Sequence, residues 1–153
     1  MLRNAIPEAL KTALKEQDQR AVSTVRLIMA ALKDRDIAAR SKGNTEGIDD
    51  DEILQMLQTM VKQRRDSIEM YEKGGRLELA EQEREEIAII ERFLPQQLGA
   101  AEVAAAVDRV IADVGAEGIK DMGKVMGALR ENYAGQMDFG KASALVKEKL
   151  GAG

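Results

Sequence analysis

Apolar residues along this chain recur at helical spacing rather than in the alternation of a half-buried strand. Leu2, Ile6, Leu10 and Leu14 fall every four residues and predict a first helix. Pro7 suits only a helix's first turn, so that helix is expected to start near Asn4. A second helix follows Asp18, carries Val22, Val25, Met29 and Leu32 on one stripe, and fades near Arg40. Residues 41–48 contain two glycines and read as a polar loop.

Asp49 opens the longest helix. With Glu52 three residues on, it fits a capping box, and the acidic run from Asp49 to Glu52 suits the positive end of the helix dipole. The run lacks the spaced oxygen ligands and turn glycine of a calcium loop, so capping is preferred and no metal site is expected. This helix runs to Lys73 and stops at Gly74-Gly75. Another spans about Arg76 to Leu94 and is ended by Pro95. Residues 49–94 thus form a long antiparallel helical hairpin.

Beyond Pro95, Val103, Val107, Val110, Ile111 and Val114 mark one helix closed by Gly115. Two short helices follow, about 120–133 and 138–150, separated by Gly135. The expected fold class is all-α: an N-terminal helical domain over 1–95 containing the hairpin, then a small three-helix domain over 96–153.

Two stripes carry charge where the spacing demands burial. On the long helix Ile53, Leu57, Val61, Ile68 and Tyr71 leave Arg64 on the seam. On the returning helix Leu79, Ile87, Ile90 and Leu94 do the same for Glu83. Folding about Gly74-Gly75 sets position 64 opposite 85, within one turn of Glu83. A bidentate, largely buried Arg64–Glu83 pair is expected, with Glu86 as the substitute partner, in a structural rather than a catalytic role. The nearby Lys62, Arg65 and Arg76 read as part of a solvated face.

The segment from Lys120 to Arg130 is the most unusual. At about 100° per residue, Met122, Val125, Met126, Leu129 and Tyr133 gather on one side. Lys120, Gly123, Lys124, Gly127 and Glu131 gather opposite. Glycine inside a helix costs up to about 1 kcal/mol against alanine, so two on a non-core face call for a reason. They permit close approach of a partner backbone, with the lysines meeting phosphate oxygens. They equally permit a neighbouring helix of the same protein to pack closely. The Gly-x4-Gly-Lys-Ser/Thr pattern of a P-loop is missing.

Composition narrows the chemistry. The 153 residues include no Cys and no His, which removes disulfides, thiolate nucleophiles, zinc thiolate sites and an imidazole base. Catalysis would fall to carboxylates, lysines and two tyrosines, each needing a large pKa shift at neutral pH. No cofactor is implied, and a helical binding module is expected rather than a self-sufficient catalyst. Net charge is −4, with 16 basic and 19 acidic residues up to Pro95 and 7 and 8 after it, so nucleic-acid binding must rest on patches. No apolar run approaches the ~20 residues of a bilayer span, and the first residues lack an apolar signal core; a cytoplasmic protein is expected.

Lys62-Gln63-Arg64-Arg65-Asp66-Ser67-Ile68-Glu69, Gly75-Arg76, Glu83, Leu94-Pro95-Gln96-Gln97-Leu98, Asp121-Met122-Gly123-Lys124-Val125-Met126-Gly127, Gly135 and Leu145-Val146-Lys147 together resemble the GatB/YqeY family, in order and over nearly the whole chain. The resemblance implies kinship with the tail of the B subunit of the glutamine-dependent tRNA amidotransferase, a segment associated with gripping tRNA. It carries an RNA-contact role to Lys120, Gly123, Lys124, Gly127 and Gly135; Arg130 of the same segment completes the candidate nucleic-acid-binding set. It carries no catalytic residue. Implied partners are tRNA and an amidotransferase or synthetase-type protein; the label of carbon–nitrogen ligase with glutamine as amide donor would describe kinship.

Overall fold

The computed structural model describes residues 1–152. Among these there are seven α-helices, one short 3-10 turn and no strand. The helices are α1 Leu2–Glu16, α2 Gln19–Arg40, α3 Asp50–Lys73, α4 Leu77–Glu91, α5 Ala100–Val114, α6 Met122–Asn132 and α7 Phe139–Ala152. They fall into two compact units, Met1–Pro95 and a second beginning at Gln96.

In the N-terminal unit, α3 and α4 pair as a hairpin while α2 packs on both α1 and α4. Local chemistry sets most of the helix ends. Asp18 caps α2 by accepting from the Ala21 N–H at 3.1 Å, and Asp49 caps α3 by accepting from the Glu52 N–H at 2.9 Å. The hairpin tip is a Schellman closure. Gly75 sits at φ 73°, where a side chain would be strained, and the Arg76 N–H reaches back to the Tyr71 carbonyl at 2.8 Å. The core gathers Ile6, Ile28, Ile53, Leu57 and Ile90, all wholly buried. Burying each contributes about 1.5–3 kcal/mol.

Three expectations need correction here. First, α1 begins at Leu2 and contains Pro7, which has no N–H for the Arg3 carbonyl. Tertiary anchoring holds this turn helical: Ile6 is wholly buried, and Arg3 is bonded to Asp36 and to the Ile48 carbonyl. Second, Leu14 is 49% exposed, and Ala13 takes its place in the core. Third, α4 ends at Glu91. Phe93 and Leu94 close tighter turns onto the Ile90 and Glu91 carbonyls, because the residue before Pro95 is pushed out of helical geometry. The polar loop also hides an anchor: Ile48 is buried in the core.

In the C-terminal unit, α5, α6 and α7 pack on one another around Val107, Val125, Leu129, Ala142 and Val146. Glu102 reaches back to the Gly99 N–H at 3.3 Å at the start of α5, and Gly115 closes its end in the left-handed conformation. The turn between α6 and α7 is fastened by the Gly135 carbonyl, which accepts from the Gln97 side chain at 2.6 Å, and by the Leu98 N–H, which donates to the Gln136 carbonyl at 2.9 Å.

Candidate nucleic-acid interface

The apolar face of α6 points inward. Val125, Met126 and Leu129 are buried, with Met122 and Tyr133 packed at the margin of the same core. That orientation fixes the opposite flank. Gly123, Lys124, Gly127 and Arg130 of α6 are exposed, and so is Lys120, which belongs not to α6 but to the 3-10 turn Ile119–Asp121 that precedes it. A methyl group built on Gly123 or Gly127 would meet no atom within 4 Å. The two glycines therefore do not serve close helix packing in this structure. They leave a strip of bare backbone open to solvent.

The strip lies between two cationic edges. Lys120 and Lys124 stand on one side, and neither has a carboxylate within ion-pair distance among the described residues. Arg130 stands on the other, its guanidinium 5.9 Å from the Phe139 ring centroid. That stacking steadies the side chain and leaves its edge N–H donors available. Asp121 begins α6. Its carboxylate accepts from the Glu117 N–H at 2.9 Å, and this bond, helped by Lys120 and Lys124, holds it below the ordinary aspartate range. Two acids, Asp121 and Glu131, border the three cations.

Gly135 does not join this flank. It is buried at the α6–α7 turn with φ 75°, and its carbonyl is taken by Gln97. Its part is to shape the corner behind the strip. Sequence spacing alone could not separate a glycine needed for a turn from one offered to a ligand.

The charged seam of the N-terminal unit holds the expected, largely buried Arg64–Glu83 ion pair, at 4.0 Å, but the substitute partner Glu86 lies nearer. The Arg64 Nε donates to Glu86 Oε2 at 3.3 Å, while the nearest Glu83 oxygen is 4.0 Å away. A second guanidinium nitrogen donates to the Met60 carbonyl at 3.1 Å. The pair is single-pronged, and Glu86 is the first partner. Helical side chains lean toward their own N-terminus. On α3 that direction runs away from the hairpin tip, carrying the guanidinium past Glu83 to Glu86. The side chains of Arg64, Glu86 and Glu83 remain 14%, 10% and 20% exposed. Burial is the main reason the Glu83 carboxyl is held above its ordinary value, with the neighbouring Glu86 carboxyl adding to it and Arg64 opposing. Among the described residues no group of three acids is placed to hold a metal ion.

The model of the YqeY-like protein family matches residues 3–150. The chain belongs to that family. A YqeY-like relative from Lachancea thermotolerans, named altered inheritance of mitochondria protein 41, mitochondrial, is 31% identical over 107 residues, covering 69% of this chain and 55% of its own length. The protein of the same name from Eremothecium gossypii is 26% identical over 150 residues, covering 96% of this chain and 79% of its own. That of Kluyveromyces lactis is 28% identical over 89 residues, covering 58% of this chain and 46% of its own. The chain thus spans about half the length of two of these three relatives.

These names overturn the cytoplasmic expectation, since these three relatives of this YqeY-like chain are mitochondrial proteins by name. The physical reason is simple. A missing apolar signal core argues against secretion but is silent on organelles, whose targeting segments are amphipathic and arginine-rich.

Proposed function

We propose that this YqeY-like protein is a non-catalytic helical binding module that contacts tRNA through the open flank of α6 and works beside a tRNA-dependent amidotransferase or synthetase-type enzyme. One observation carries the reading. Two helical glycines face solvent with nothing packed on them, beside two exposed lysines that, among the described residues, have no carboxylate within ion-pair distance. Selection for stability alone would replace such glycines, because each weakens a helix by up to about 1 kcal/mol. A ligand that must approach the backbone gives them a purpose.

In the proposed contact, a phosphate–sugar backbone runs along the Gly123–Gly127 strip. Lys120 and Lys124 neutralise its phosphates, and Arg130 offers a guanidinium face or edge to a phosphate or an unstacked base. With only three cations, affinity is modest and specificity comes from fit and from the accompanying enzyme. The absence of Cys and His fits a chain that delivers or steadies RNA while another polypeptide does the chemistry.

The experiment is to crosslink RNA to the protein in cells and sequence what is recovered. Enrichment of tRNA, reduced by Lys120→Ala with Lys124→Ala, supports the reading; recovery of no RNA above background removes it. A protein–protein adaptor using the same glycine strip is the second reading, favoured by the acids Asp121 and Glu131 at its border. It would be recognised by a partner retained after nuclease treatment and lost in Gly123→Leu.

A further inference from the structure

The N-terminal unit carries an open groove between α1 and the C-terminal half of α2. It has a volume of about 260 Å³ and is lined by Ile6, Pro7, Met29, Leu32 and Ile37, with Lys33, Asp36 and Arg40 at its edge. Ile37 is 51% exposed, a large apolar side chain left at the rim. The volume is below the roughly 300–1,000 Å³ of a small-molecule cavity. It suits an apolar side chain entering from outside.

The charges at the rim are unbalanced. Asp36, the one acid among the lining residues, is consumed internally by two bonds from Arg3 and one from the Ile48 N–H. Lys33 and Arg40 are exposed, and among the described residues neither has a carboxylate within ion-pair distance. They stand seven residues apart on one face of α2, two turns or about 10.5 Å. The Arg40 charge is felt at Asp36 but makes no direct pair with it, and an apolar floor between two exposed cations at that spacing is complementary to one kind of surface. It matches a helix with carboxylates at positions i and i+7 and aliphatic residues at i+3 and i+4. A nucleic-acid backbone would satisfy the cations but leave the apolar floor unfilled.

We infer that this groove docks an acidic amphipathic helix of a partner protein, anchored by an aliphatic side chain between Ile6, Leu32 and Ile37 and held in register by Lys33 and Arg40. The inference concerns the N-terminal unit and stands apart from the RNA reading of α6.

The test uses the full-length protein and a fluorescein-labelled helical peptide of about 20 residues, long enough to hold helical structure. The peptide carries Glu at i and i+7 with Leu at i+3 and i+4. Saturable anisotropy is expected. Lys33→Glu with Arg40→Glu should weaken binding at least about tenfold, and a peptide with Lys in place of both Glu should recover it on that variant. Lys33→Gln with Arg40→Gln serves if charge reversal disturbs the helical circular dichroism signal. No saturable binding, or equal affinity for wild type and variant, overturns the proposal. So does a sedimenting dimer dissolved by Ile37→Glu, which would assign the groove to a second copy, and so does RNA binding abolished by the double variant.

Discussion

Arg3 holds Asp36 with both terminal guanidinium nitrogens, at 2.8 and 3.0 Å, and so joins the first turn of α1 to the last turns of α2. The same carboxylate accepts from the Ile48 N–H at 3.0 Å, and Arg3 donates to the Ile48 carbonyl at 2.9 Å. One ion pair therefore fixes the loop that leads into α3. Gly47 passes so close that a Cβ there would lie 2.6 Å from Arg3 Nη2 and 2.9 Å from Asp36 Oδ1, at φ 94°. Asp36→Ala should cost about 1–3 kcal/mol in a urea melt, and Gly47→Ala should destabilise through both strain and displacement of the pair.

This clamp also sets an acid limit. The Arg3 hydrogen bond, with the Ile48 N–H helping, holds the Asp36 carboxyl below its ordinary value. The folded state therefore binds its proton less readily than the unfolded chain. Its contribution is complete above the unfolded value, near ~4, and is lost as pH falls through the lower folded value. Asp36→Asn should flatten that part of the stability–pH curve.

Glu83 acts with the opposite sign. Its carboxyl is held above its ordinary value, so the folded state binds that proton more tightly, and stability declines as pH rises from the unfolded value through the folded one. Glu83→Gln should be neutral or mildly stabilising at pH 7 and remove that decline. Glu86→Gln, which takes away the nearer partner of Arg64, should cost about 1–3 kcal/mol. Equal losses from both variants in chemical denaturation would contradict this division of roles.

The glycine strip predicts a conflict between stability and binding. Gly127 lies within α6 with open space around it, so Gly127→Ala should stabilise the C-terminal unit by about 0.5–1 kcal/mol. Gly123, in the first turn, should give less. Gly123→Leu with Gly127→Leu should keep the fold and weaken the ligand, the pattern of a site held open against stability. Thermal melts of the variants beside their tRNA affinities check both halves.

What the sequence made legible was whatever local chemistry decides. The helix start after Asp18, the cap at Asp49, the stops at Gly74-Gly75 and Gly115, and the inward methionine face of α6 all follow from residues within a turn or two. What escaped depends on distant partners. Helical geometry at Pro7 is sustained by contacts from α2 and the loop, where Asp36 and Ile48 lie 33 and 45 positions along the chain from Arg3. Seam spacing located Arg64 correctly, but the choice of Glu86 over Glu83 rested on side-chain lean. Gly135 resembled its neighbours in composition, and only its positive φ and burial separated a corner from a contact.

The most direct measurement is filter binding of tRNA to the full-length protein across a salt series. Three cations at the flank imply a slope of log K against log salt of about −2 to −3, and Lys120→Ala with Lys124→Ala should reduce its magnitude by about 2. Binding that is absent, indifferent to salt, or unchanged in the double variant would contradict the assignment of the α6 flank to RNA.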